Sequence, residues 1–475
     1  MSTSVSPLSS LDGSLGTTGS GSSTSGTGLG QGINVQQFVQ LALASQTAAI
    51  TALQTQQTTL GTQIGEIATI NSELASLQNA AAALNDPLGA LNSEVATSSN
   101  PNALTANAAG TASAGAHTIS VANLATTSSY YSDQAPTSST PLATGDTIAI
   151  TVGSSIVPVA SVTTSATDNT LEQIAAAINL QTTAVQASVI TDANGSRLAL
   201  VSTTSGLPGV IATTGSLHLA STGNTALNFH QAAAGLNASL TVDGVPVSSA
   251  TNTVSGAING VTLNLAAPTL VNGVDTPISL TVAPDTTQAS TAVKNFVTAY
   301  NTVLSEVNGQ FKVGSDGTAS AALAGDGTLQ GAQSLLLGAA SYSVTGNNGL
   351  VNLASIGVNT NNDGTLSVDS SALSTALATN FSAVQNLLQN STTGFAQNLS
   401  SVINNLSAPG NGILTTDSQS ISGAAQALGQ RVTDLQASLA VQEKTLTDTY
   451  SQVNITLQEL PLLENQLTQE ISGIA

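Results

Sequence analysis

Both ends of the 475-residue chain repeat apolar residues at seven-residue intervals, a period that suits long helices paired with other helices and little else. From Val39 the steps run through Gln46, Leu53, Leu60, Ile67 and Leu74, while Leu43, Ile50, Gln57 and Ile64 fill a second row at alternating three- and four-residue spacing. At the other end Val432, Leu439, Leu446, Val453, Leu460, Leu467 and Ile474 form an unbroken row. Its second row is weaker: Leu435 is followed by Gln442, Thr449, Thr456 and Leu463. Asp86 and Pro87 end the first run, because proline has no N–H to continue the ladder and restricts the residue before it. Pro461 falls inside the last run and predicts a kink or break there, at a cost of about 3 kcal/mol.

A buried Leu or Val in such a row contributes roughly 1.5–3 kcal/mol, but nucleating and ordering an isolated helix nearly cancels this. The rows therefore predict helices that are marginal alone and order mainly on assembly, with neighbouring subunits supplying the other half of each seam. A hairpin between the two termini of one chain is the alternative. The apolar members through Leu74, together with Val432, Leu435, Leu439, Leu446, Val453, Leu460 and Leu467, are the candidate oligomer contacts. Gln, Thr and Ser flank the amino-terminal row where Glu and Lys usually stand, so ion pairs do not choose its partner.

Between about Thr97 and Pro284 the period falls to two, as in Thr147–Val152, Ala187–Thr191, Leu198–Val201, Ser239–Val242 and Val261–Leu265, which read as strands. Asn194-Gly195, Asp243-Gly244, Asn259-Gly260 and Asn272-Gly273 separate them, each a dipeptide suited to a tight hairpin. One helix, Leu171–Leu180 with Thr170 as its N-cap, is inserted. Helical spacing returns at Thr291–Val307 through Val293, Phe296, Val297, Tyr300, Val303, Leu304 and Val307, and again at 328–340, 370–377, 381–388 and 394–406.

The chain is thus expected to be an α+β multidomain protein, with a terminal α-helical coiled-coil leg and antiparallel β head domains inserted between its two ends. Residues 1–32, mostly Ser, Thr and Gly, read as a disordered terminal tail or an unfolded export signal. Residues 33–95 form the amino-terminal heptad helix and leg. Residues 96–130 and 235–290 make a first β domain, and 131–234 a second, variable one. A helical leg domain with a short β hairpin follows at 291–425, and the carboxyl-terminal coiled-coil helix at 426–475.

Only 6% of residues are charged, against about 25% in an ordinary domain, and 2% are aromatic, so small apolar side chains must carry the cores. Twenty-five acidic residues face five basic ones, which argues against nucleic acid or an anionic membrane surface as partner. No apolar run is long enough to span a membrane, and the first thirty residues lack the Lys, Arg and apolar core of a cleavable signal. With no cysteine there are no disulfides, thiolate metal sites or thiol nucleophiles.

No catalytic constellation is legible, no cofactor is implied, and the chain reads as a non-enzyme. Asn359–Leu366 places oxygen-bearing side chains like the start of an EF-hand loop, but Ser370 stands where the bidentate Glu belongs, so a turn between strands is expected. His117, His218 and His230 have no metal-ligand spacing and read as surface or turn residues.

Several stretches resemble the flagellar filament cap, or hook-associated protein 2, family. At the amino end these are Gly28–Val35, Leu53–Thr58 and Ile70–Leu77; later come Ile278–Asp285, Phe296–Asn301, Leu323–Leu329 and Ile356–Leu366, with the last heptad helix in the expected place. The resemblance covers about two thirds of the chain and leaves Tyr130–Ala234 unmatched. It implies a ring-like homo-oligomer, with a pentamer expected, secreted to the extracellular tip of the flagellum. Helical legs would sit among the last flagellin subunits, and flagellin would fold and polymerise beneath a plate of β heads. It also implies as partners the hook–filament junction proteins, the flagellar type III export apparatus and a chaperone. The alternative is a surface adhesin whose variable β head binds glycans or host surfaces.

Overall fold

The computed structural model describes residues 34–220, 224–312, 321–347 and 349–472. The tail expected over 1–32 and the last heptad residue, Ile474, lie outside the described residues. Two compact units emerge: a helical unit formed by 34–68 and 416–472, and a main unit, 69–415.

Among the described residues eight α-helices occur in chain order: α1 Val35–Asn85, α2 Leu171–Gln181, α3 Thr286–Gln310, α4 Gly327–Ala340, α5 Ser370–Thr379, α6 Phe381–Gln389, α7 Phe395–Ser407 and α8 Ile413–Ser472. α1 stops before Asp86 and Pro87, as the proline requires. α8 starts at Ile413, well before the row from Val432, and Leu414, Ile421 and Leu428 already run at seven-residue spacing into Leu435. The break expected at Pro461 does not occur. Its ring removes one backbone donor from a helix of 60 residues, and the turns on either side keep theirs.

The main unit holds two β cores. In the first, a five-stranded antiparallel sheet runs in the order Glu94–Ser98, Ile278–Pro284, Gly115–Asn123, Ala238–Val242, Val245–Ser249. It packs with the three-stranded sheet Thr253–Ile258, Val261–Leu265, Leu104–Ala108 around Leu104, Ile119, Val121, Leu240, Leu263 and Leu280. In the second, the four-stranded sheet Phe229–Ala233, Thr127–Ser132, Gly195–Ser205, Val185–Asp192 and the three-stranded sheet Ala160–Thr163, Thr147–Val152, Ile211–Gly215 enclose α2. Apolar residues alternate inward along each strand, and the core closes on Leu171, Ile174, Ile178, Leu198 and Leu200.

Three of the four anticipated dipeptides fill two-residue hairpin turns, since Val242 pairs with Val245, Ile258 with Val261 and Val271 with Val274; the first is off by one, because Asp192 pairs with Gly195 and the turn is Ala193-Asn194. Asp243 and Gly244 both have positive φ, 52° and 80°, which the twist of a two-residue hairpin demands. Thr170 caps α2 through a reciprocal capping box with Gln173.

In a chain so poor in charge, neutral amides make several of the long-range polar ties. Asn301 on α3 donates to the Leu366 carbonyl (2.8 Å) and accepts from the Leu366 N–H (2.7 Å), standing in for a strand. Asn179 does the same for Ala187, at 2.8 Å both ways, and Asn252 for Ala125. Such ties need no charged group to lose its water.

All seven α3 residues marked by helical spacing are buried, and Phe296 meets Phe395 of α7 edge-on at 5.2 Å. Burial pushes the Tyr300 hydroxyl up to about 12. The segment that resembled a calcium loop forms the hairpin Val358–Thr360/Leu366–Val368. Gly364, at its turn, has φ of 84°, and a Cβ there would come within 2.3 Å of the Leu337 side chain, so the turn is pressed onto helices.

Candidate assembly interface

The helical unit brings the two ends of the chain together. Phe38 lies beside Tyr450, with ring centroids 6.0 Å apart, and a Cβ added to Gly429 would lie 2.6 Å from the Gln57 side chain. Position numbers rise on α1 as they fall on α8, so the two helices pair antiparallel within one chain.

Of the α1 residues marked by the heptads, Val39, Leu43, Ile50 and Ile67 are buried, and Leu53, Leu60 and Ile64 half-buried. Leu74 is buried too, but within the main unit. Gln46, at a seam position, is exposed. On α8, Val432 is buried and Leu439 and Leu446 are half-buried. Leu435, Val453, Leu460 and Leu467 are exposed, at 37%, 43%, 47% and 60%.

The side of α8 that meets α1 uses the row from Val432 together with Gln436, Tyr450 and Leu457, all half-buried and one position on from the row of Leu435. Sequence spacing missed these because Gln436 is polar and the apolar Leu435 drew the second row to itself. The Phe38–Tyr450 contact was equally unforeseen, although two of the chain's few aromatic residues fall at opposite ends of the sequence.

Two properties of the unit bear on what could cover it. Toward the end of α8, Ile455, Leu460, Leu462, Leu463, Leu467 and Ile471 are all exposed. Large apolar residues in contiguous exposed runs mark interaction sites, whereas scattered ones do not. Further, 34–65 contains no charged residue, and the threonines on its outer side bond back into their own helix. Thr47 donates to the Leu43 carbonyl, Thr51 to Thr47, Thr55 to Thr51 and Thr59 to Thr55, at 2.9–3.1 Å. Their hydroxyls are satisfied internally, so covering this side would strand no donor.

The histidines each meet an aspartate. His117 lies 2.7 Å from Asp243, His218 3.1 Å from Asp146 and His230 2.8 Å from Asp133. The His117 hydrogen bond, seconded by the Thr118 N–H, holds the Asp243 carboxyl below the usual range, and His230 does the same for Asp133. These pairs pin one strand or turn to another.

Comparison with known proteins places these features in a family. The model of the flagellar hook-associated protein 2 N-terminus matches residues 31–128, and that of the flagellar hook-associated protein 2 C-terminus matches 235–461. Neither covers 129–234, the stretch that holds the second β core. The B-type flagellar hook-associated protein 2 of Pseudomonas aeruginosa is 30% identical over 79% of this chain and 82% of its own length. The flagellar hook-associated protein 2 of Escherichia coli K12 is 29% identical over 95% and 98%. Among solved structures, the D1-D2-D3 domains of the Escherichia coli flagellar cap protein FliD superpose with a TM-score of 0.55 at 28% identity, covering 75% of this chain and 99% of that one.

Proposed function

The chain belongs to the flagellar hook-associated protein 2 family and is a flagellar filament cap protein; from that premise we propose that its helical unit is the element through which it assembles. The run of exposed apolar residues toward the end of α8 carries this reading. A helix pair complete in itself would turn those side chains inward.

Several copies join at the distal, extracellular end of the filament, their helical units set among flagellin subunits. Flagellin arriving at the tip folds and polymerises beneath them instead of escaping. The machinery is packing rather than chemistry: the group that acts is an apolar surface. Among the described residues nothing favours an adhesive role of the β domains over capping.

Deleting the protein from its own cells tests the reading. Flagellin should appear as monomers in the medium while filaments stay short, and re-expression of the full chain should restore length. Filaments of normal length in the deletion strain would reject it.

A further inference from the structure

The apolar run on α8 continues the geometry of the intrachain pair past the place where the described part of α1 begins. With Phe38 beside Tyr450, Val35 lies about one turn beyond Tyr450, and α8 from about residue 455 to Ser472 extends a further ~27 Å at 1.5 Å per residue. Over that length Leu460, Leu463 and Leu467 keep the three- and four-residue spacing of a coiled-coil seam, one heptad on from Val453, and they are 47–64% exposed. A continuing seam asks for another helix.

Charge narrows the choice of helix. On α8 after Tyr450 the charged residues are Glu459, Glu464 and Glu470, all acidic. A second α8 lying parallel would bring Glu459 of one copy to the flanking position opposite Glu464 of the other, like charge on like charge. The outer side of α1 presents no charge over 34–65. It carries exposed Leu41, 76%, followed at three- and four-residue spacing by Ser45, Ala48 and Ala52, small enough for close helix approach. Its threonine hydroxyls already bond to their own helix, so they lose nothing when covered.

We infer that the carboxyl-terminal stripe of α8, centred on Leu460, Leu463 and Leu467, docks on the outer, uncharged side of α1 in a second copy of this chain. The inference rests on the reading that copies assemble through the helical unit, and it names the two surfaces that meet. The contact is heterologous: each copy offers one stripe and one receiving side, so repetition gives a ring when the rotation per copy closes.

The absence of cysteine makes the test direct. Full-length Leu463→Cys protein is mixed with full-length protein carrying Leu41→Cys, Ala48→Cys or Ala52→Cys and oxidised. All four positions are exposed, and circular dichroism checks that each variant keeps its helix. At least one mixture should yield a mixed disulfide dimer in tenfold excess over Leu463→Cys linked to itself. Dominant self-linking would overturn the inference in favour of parallel α8 pairing. Light scattering on the unmodified chain separates the two levels: assembled copies with no mixed disulfide at any of the three positions overturn the docking alone, whereas a monomer at every concentration overturns assembly through the helical unit as well.

Discussion

The β cores of the main unit and the antiparallel pair of the helical unit bury the same kinds of side chain but reach different degrees of closure. Leu104, Leu198, Leu200 and Leu263 have no exposed surface, and each strand row that points inward meets another sheet or a helix. Along the helical unit Val39, Leu43 and Ile50 are covered, while from Val453 to Ile471 the larger apolar residues of α8 other than the half-buried Leu457 stand in solvent. Sheets stacked face to face close on both sides. Two helices cover one stripe each, and any second stripe needs a further partner.

Substitution at matched depth is the strongest way to break this contrast. Leu200→Ala, in a core with no room to collapse, should cost about 3–5 kcal/mol in denaturant unfolding of the β domains. Ile50→Ala should cost nearer ~2 kcal/mol and leave the β transition where it was, because one side of α1 already faces solvent. Equal losses in a single shared transition would show that the two regions do not differ in the way described.

Two glycines sharpen the comparison at smaller amplitude. Gly215 has φ of 89°, and its Cβ would lie 2.0 Å from the Thr147 carbonyl, a backbone atom held in a strand. Gly215→Ala should destabilise by about 2 kcal/mol or more by thermal unfolding. Gly429→Ala meets only the end of the flexible Gln57 side chain, so the helix propensity gained, up to ~1 kcal/mol, should offset the contact. A large loss at Gly429 would mean that the helix pair is as rigidly determined as the sheets.

The smallest effects are those of pH, confined to the main unit. Asp243 and Asp133 have carboxyls held low by His117 and His230, so their contribution is full above the ordinary carboxylate range and is lost as pH falls through the lowered values. Asp243→Asn should flatten the acid side of a stability-against-pH curve. Glu94 is shifted the other way: burial raises it, so its contribution is present in acid and lost as pH rises through the raised value. Glu94→Gln should therefore stabilise slightly at neutral pH. An unchanged acid limb in the first variant, or a loss in the second, would contradict these assignments.

Regular elements were legible in the sequence wherever a local period decided them. The strand Val261–Leu265 and the α3 face from Val293 to Val307 follow from alternation and from helical spacing, and Thr170 was recognisable as a cap before its capping box was seen. What escaped depends on distance in sequence. The contact of Phe38 with Tyr450, the use of Gln436 in place of Leu435, and the clamp of Asn301 on Leu366 arise only when remote segments meet. The continuity of α8 through Pro461 escaped for another reason, since an intrinsic cost of about 3 kcal/mol does not show how much the neighbouring turns hold in place. The proposed assembly surface was half visible: the row from Val432 to Leu467 was plain, but which of its members would be covered within one chain was not.

Amide hydrogen exchange, followed from dilute to assembling concentrations, tests most directly whether the β cores are complete in one copy and the helical unit is not. The strands around Leu104 and Leu200 should be slow throughout, whereas α8 from about residue 455 to Ser472 should exchange fast in dilute solution and become protected at least ~10-fold on assembly. Protection of that segment that is equally high, or equally low, at every concentration would contradict the account.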